Sequence, residues 1–333
     1  MFIVNQITIK DIMWLLNRLF AHNNQPTPRF AFQGTVNWMR GLAIICENNF
    51  SHNNLHHLYQ YVNKRRKNEA SDTLAFESII MSMHNLDALN KMDIIDNPYS
   101  IVRSAIIAWY YTIYYASKAM LAASSGSNPQ THTATAKIWQ IDIVCRMLLQ
   151  TPFDFSISNL TQPNITKTVD ALRNGNKYDL NTSPTNEEMA FGSIYSYLKG
   201  TAEYEKWRIE ESVKGSSEYK KCGYENFRSS KAKRLRDARL EPAHVNFLNQ
   251  AFRYRGKANY RDAIYLSYGD NRTDELHQFI TDLQSVSGAF SLMAAHYLSM
   301  RLSDEDWRAF SADANKYVKF SLPYNLHEIS GQS

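Results

Sequence analysis

Apolar positions recur at spacings of three and four along most of this chain, the pattern of helices that each bury one face. Ile9, Ile12, Met13, Leu16 and Phe20 predict a helix over residues 7–22 capped by Thr8. After the loop text NNQPTPRF, the positions Val36, Met39, Ala43 and Cys46 predict a second over 35–50. A third amphipathic stretch runs from Thr73 to Leu89 and breaks at Asp96-Asn97-Pro98. Next comes the stretch that organises the rest, PYSIVRSAIIAWYYTIYYASKAMLAA (98–123). Ala105, Ala108, Thr112, Ala116 and Ala119 line one face with small side chains, and bulky residues surround that face. A helix apolar all round is a buried one, and the small stripe lets neighbouring backbones approach. Asn97 suits an N-cap, Pro98 a first turn and Gly126 a stop.

Downstream, Ile138, Ile141, Val144, Cys145 and Leu148 predict the inner stripe of a helix over 133–149, ended by Pro152. Residues 151–200 turn to Ser/Thr/Asn-rich text with Pro163 and Pro184, a loop-rich insertion, although helical periodicity returns over 190–212. The polar, basic stretch 213–235 is expected to order on a ligand. Further helices are predicted from Pro242 to Tyr268 and, after the turn Gly269-Asp270-Asn271, from Thr273 to Leu302. The last buries Leu276, Ile280, Leu283, Val286, Phe290, Met293 and Tyr297. The fold class is therefore all-α, a helical bundle over 98–333 interrupted by 151–243 and preceded by an N-terminal helical part over 1–97.

Composition narrows the setting. Twelve Gly and 9 Pro in 333 residues suit long helices, and the length supplies ample core. Cys46, Cys145 and Cys222 are far apart, with no CxxC, which argues against a disulfide framework or structural zinc. Only fourteen uncharged residues separate Arg103 from Lys118, short of the about 20 that span a bilayer. With no secretory pattern at the start, the expected setting is a reducing cytoplasm without a membrane partner.

Charge changes the picture more. The net charge of +5 conceals a block, 220–261, with twelve Lys/Arg against three Asp/Glu, so the remainder carries −4. A block of this kind suits a polyanion, nucleic acid first, or else forms a solvated basic face. Lys231, Lys233, Arg234, Arg236, Arg239, Arg253, Arg255 and Lys257 are its candidate nucleic-acid contacts. His52, His56 and His57 lack a carboxylate or Cys to complete a metal set and read as surface or capping residues. Lys64-Arg65-Arg66-Lys67 reads as the cationic end of a helix. Trp109, Tyr110, Tyr111, Tyr114 and Tyr115 read as core. No phosphate-binding glycine loop or nucleophile elbow occurs, and no metal or cofactor is expected.

Arg103-Ser104, YYTIYYASKAML (110–121) and Thr131-His132 after a short polar loop resemble a helix–loop–helix of the HEPN family. LNQAFRYRGKANYRDA (248–263) is similar to a downstream helix of one branch, with Arg255 and Tyr260 on its Arg and Tyr and Asn259 where Asp is usual. The resemblance covers about 98–150 and 244–300. It implies a bundle of four or five helices, often dimeric, in bacterial defence, toxin–antitoxin or RNA-processing settings, with RNA ahead of DNA as partner. Many members are metal-independent endoribonucleases, in which an Arg and a His of an R-x4-6-H motif act on the scissile phosphate.

This chain departs from that motif on the aligned helix, where Arg255 is followed by Tyr260 and no His. Two literal matches lie elsewhere, Arg239-LEPA-His244 and Arg272-TDEL-His277. Pro242 interrupts the first. Arg272 and His277, at a helix start where backbone N–H groups favour a phosphate, are therefore the candidate catalytic pair, with Asn259 and Tyr260 supporting. A non-catalytic interaction subunit docked on a partner protein is the competing function.

Overall fold

The computed structural model describes residues 28–161, 178–179, 181–260 and 272–329, without the side chains of 28–32 and 257–260. The helix predicted over 7–22 and the turn at Gly269-Asp270-Asn271 lie outside them. In chain order the helices are α1 (Pro28–Asn49), α2 (His52–Tyr59), α3 (Glu69–Asn90), α4 (Pro98–Ser125), α5 (His132–Trp139), α6 (Glu187–Gly215), α7 (Ser217–Lys221), α8 (Ser230–Leu240), α9 (Phe247–Tyr260), α10 (Thr273–Arg301), α11 (Asp304–Tyr317) and α12 (Leu326–Ile329). The chain is all-α, and an isolated bridge joins Ile157 to Val245.

Helix α4 holds the centre for the reason its sequence gives. The Asn97 side chain accepts from the Tyr99 N–H at 3.1 Å, Pro98 fills the first turn, and Gly126 closes it at φ 75°. A Cβ at Gly126 would also lie 2.8 Å from Ser71 Oγ, so glycine is required there twice over. All five residues of the small stripe are buried. They allow α3 and α10 to press close enough for Ser82 Oγ to donate to the Thr112 carbonyl at 2.8 Å while meeting Ser291 Oγ at 3.1 Å. One apolar cluster runs through these helices from Val36 to Ile329, so α1–α3 share the core of the bundle. The stripe of α10 is buried at all seven expected positions.

Four sequence expectations need correction. Helix α1 begins at Pro28 rather than at 35, consistent with proline's fit to a first turn. The stripe predicted over 133–149 is out of phase because α5 widens into a π-helix over Gln140–Val144. That extra residue per turn carries Ile141 out to 66% exposure and Cys145 to the surface, and turns Ile143 inward. The helix expected from Pro242 begins at Phe247, where Asn246 and Asn249 cap each other reciprocally (Asn249 N–H to Asn246 Oδ1, 3.2 Å; Asn246 N–H to Asn249 Oδ1, 2.9 Å). Finally, 213–235 folds on itself: α7 and α8 pack over Val213, Tyr219 and Ala232, flanked by Tyr224, Phe227 and Leu235. Its aromatic residues supply the small core that its polar composition hid.

Candidate functional site

The middle of α4, the start of α5 and the middle of α9 converge on a cluster of tyrosines, one histidine and one arginine. Thr131 caps α5 by accepting from the Ala134 N–H at 3.2 Å, which fixes His132 at the first helical position. The His132 Nδ1 lies 2.6 Å from the Tyr110 hydroxyl, and its ring stands edge-on to Tyr114 and stacks on Phe252 at 5.0 Å. Nε2 has no partner among the described residues. From α9, the Arg255 guanidinium lies 5.3 Å above the Tyr110 ring and 5.7 Å above that of Tyr111, and donates to the Tyr111 hydroxyl at 3.2 Å. Within the described residues Arg255 has no carboxylate partner, and its Nε is buried and unpaired.

The electrostatics of the cluster follow from that composition. Burial, and secondarily the Arg255 charge, depresses the His132 pKa, so the imidazole is neutral near pH 7. Burial raises the Tyr110 hydroxyl well above the usual tyrosine range, although Arg255 pulls the other way. Tyr110 therefore stays protonated. A neutral imidazole, an unneutralised guanidinium and phenolic hydroxyls can together move a proton and hold an anion. Trp109 and Tyr110 are core residues as expected, but Tyr111, Tyr114 and Tyr115 are only half-buried.

The expected nucleic-acid contacts separate into two groups. Lys231, Lys233, Arg234 and Arg239 project from α8, exposed and without a hydrogen-bond or ion-pair partner among the described residues. Arg239 also lines a cleft of about 320 Å³ with Ile209, Val213 and Leu235. Arg236 turns inward, paired with Asp237 at 2.7 Å and reaching Glu210 at 3.9 Å beside the Phe227 ring. Arg253 is also drawn in, donating to Thr201 Oγ1 at 3.1 Å and lying 4.7 Å above Tyr204. The side chains of Lys257, Asn259 and Tyr260 lie outside the described residues.

Neither literal Arg/His motif forms a pair. The Arg272 guanidinium donates to Glu275 Oε2 at 3.2 Å, and no hydrogen bond joins it to His277 among the described residues; the backbone N–H of Arg272 donates to the Tyr99 hydroxyl. Arg239 sits near the end of α8, whereas His244 follows it in the extended segment against α5, its pKa lowered chiefly by burial. His132 was legible only as text, because no sequence spacing links residue 132 to residue 255. His52 is not a free surface histidine: its Nδ1 meets Nε2 of the buried His296 at 3.0 Å. The run Lys64–Lys67 lies beyond the end of α2 and pairs instead with Asp304, Asp72 and Asp306.

Among the described residues no three His, Cys, Asp or Glu side chains converge on a metal position, and no helix is long and apolar enough to cross a membrane. Comparison with family models, curated proteins and solved structures returned no match for this chain.

Proposed function

We propose that the protein binds RNA and cleaves it without a metal, with His132 and Arg255 rather than Arg272 and His277 as the reactive pair. The observation that carries this reading is that three separate helices bring a neutral histidine and an unneutralised arginine onto one tyrosine, Tyr110. With Nδ1–H donating to the Tyr110 oxygen, Nε2 presents its lone pair outward and takes the proton of a ribose 2′-hydroxyl. The 2′ oxygen then bonds to the adjacent phosphorus, the bond to the 5′ oxygen breaks, and water protonates the leaving oxygen. Arg255 balances the charge that builds on the phosphoryl oxygens. The unpaired cations of α8 supply capture of the polyanion. Bacterial defence and toxin–antitoxin systems, which the HEPN resemblance implies, are settings that use such an activity.

The test is cleavage of mixed-sequence RNA in EDTA by wild type, His132→Ala, Arg255→Lys, Arg272→Ala and His277→Ala, each checked for helicity by circular dichroism. We expect a loss of about 100-fold or more for the first two variants, the range of a removed general base for His132 and of a lost transition-state charge stabiliser for Arg255, and wild-type rates for the last two. Cleavage by His132→Ala at the wild-type rate would remove this site. RNA binding without cleavage by wild type would retain capture and overturn the catalytic step.

A further inference from the structure

Outside the cluster, α6 carries an exposed aromatic pair. Tyr204 and Trp207 are 40% and 55% exposed, with ring centroids 5.9 Å apart and planes 35° from each other. Both lie on the side of α6 turned away from Leu198, Thr201 and Ala202, which face the core. Trp38, Trp109, Trp139 and Trp307, in contrast, are at most 1% exposed. The Arg253 guanidinium covers one face of Tyr204 at 4.7 Å and donates to the Thr201 hydroxyl, with its Nε buried and unpaired and no carboxylate partner among the described residues. Its neighbour Phe252 is 38% exposed and stacks on His132. Trp207, Tyr204, Arg253, Phe252 and His132 thus form a ribbon of π faces and one cation, crossing from α6 over α9 to α5.

The carboxylates beside the ribbon are each paired with a cation, and the exposed cations of α8 next to them have no partner among the described residues, which favours an anionic occupant. Glu203 and Glu211, four residues to either side of Trp207, reach Lys199 at 3.7 Å and Lys214 at 2.7 Å. Glu210 is within 3.9 Å of Arg236, which brings the basic helix α8 alongside α6 within one turn of Trp207. Every nucleobase has a π face, so aromatic faces flanked by cations take unpaired bases with little regard to sequence. Paired bases in a duplex cannot reach such a surface. We infer that the ribbon is a stacking track for single-stranded polynucleotide, leading from Trp207 to His132. This inference rests on the RNA-binding reading above.

Fluorescence anisotropy of labelled oligouridylate and of a duplex RNA of equal length tests it, with wild type, Trp207→Ala, Tyr204→Ala and Phe252→Ala. All three side chains are partly exposed, so these variants keep the fold, which thermal melting confirms. The expected result is single-strand affinity at least tenfold above duplex affinity in wild type, reduced about 5- to 100-fold by Trp207→Ala, with the salt dependence unchanged. Single-strand affinity that survives all three substitutions overturns the track but leaves RNA capture by α8 intact. A wild type that binds neither RNA overturns both. If Trp207→Ala instead changes only self-association, read by sedimentation, the surface is a protein-docking face and the track is excluded.

Discussion

Two short basic runs, Lys64-Arg65-Arg66-Lys67 and the Lys231–Arg239 stretch of α8, look alike in the sequence and differ in what surrounds them. In the first, Arg65 is held by Asp72, Lys64 by Asp304 at 2.7 Å and Lys67 by Asp306 at 2.7 Å. Arg65 also donates its backbone N–H to the Arg301 carbonyl at 2.7 Å. That run clamps the start of α3 to the acidic first turn of α11, which carries Asp304, Glu305 and Asp306. In the second run Arg236 alone has carboxylate partners among the described residues, and the other four cations face solvent without one there. A basic run is thus structural where the fold brings carboxylates to it and available to a ligand where it does not. Net charge along the sequence does not distinguish the two.

The largest expected effect tests the clamp. The Arg65 and Asp72 side chains are 14% and 10% exposed, and Asp72 also accepts from the Asn68 N–H at 2.9 Å. Asp72→Ala leaves a largely buried guanidinium without its partner, a change that costs about 3–5 kcal/mol. Urea denaturation should show that loss. Replacing Lys231, Lys233, Arg234 and Arg239 with Gln should leave the midpoint in place. A larger loss from the α8 substitutions would reverse the assignment of the two runs.

A parallel contrast separates two histidines. His132 is half-open and leaves Nε2 unpartnered, whereas His296 is 1% exposed, wedged against His52 with Nδ1 buried and unpaired. Burial first, then the nearby His52 and His56, lowers the His296 pKa to about 3. Its unfolded value is about 6.5. The unfolded chain therefore binds the extra proton first, so the stability is complete above about pH 6.5 and is lost as pH falls toward about 3. His296→Gln should flatten the decline in melting temperature across that window, and His132→Gln should flatten it less. Equal slopes for wild type and His296→Gln would mean that His296 is not buried in this way.

Much of the fold could be read from local text, because it depends on local text. The small stripe of α4, its Asn97 and Gly126 ends and the seven-residue stripe of α10 all recur in the structure. Where the reading slipped, the cause was not local. The π-helix at 140–144 shifts the phase of a stripe without any marker in the residues. The reciprocal cap of Asn246 and Asn249 outweighs the helix-start signal of Pro242. The site is less legible than the fold for the same reason. Arg255 could be picked out from its helix, but its juxtaposition with His132 depends on how α9 crosses α4 and α5. Arg272 and His277 match the motif spacing of five, but Glu275, three residues from Arg272, claims the guanidinium.

The salt dependence of RNA binding gives the next effect in size. Each phosphate contact contributes about 0.7 to the log–log slope on single strands. Removing the four α8 cations that lack a partner among the described residues should therefore flatten the slope by as much as about 3, measured by anisotropy between about 50 and 200 mM salt. Lys64→Gln with Lys67→Gln should leave it unchanged, since those ammonium groups already have carboxylate partners. Equal flattening by the two sets would show that the paired run also meets phosphate and would erase the distinction between them.

The smallest effect concerns the pair with the most exposed cation of the clamp, Lys67–Asp306. The Asp306 pKa is lowered, first by the hydrogen bond from Lys67 and next by that from Ser303, whose hydroxyl donates to Oδ2 at 2.6 Å. A carboxylate with a depressed folded pKa adds stability that is present above its unfolded value, about 3.9, and is lost as pH falls through the folded one. Because the pair is solvent-exposed, water and salt screen most of that contribution. Lys67→Gln should therefore leave the melting temperature at pH 7 almost unchanged while raising the Asp306 pKa toward its ordinary value, followed by the carboxyl shift in carbon-13 NMR. Ser303 would keep part of the depression, since its hydroxyl still donates. An Asp306 titration unmoved by Lys67→Gln would assign the depression to the helix cap alone. The clamp would then consist of Arg65–Asp72 and Lys64–Asp304, and Lys67 would join the free cations on the other side of the comparison.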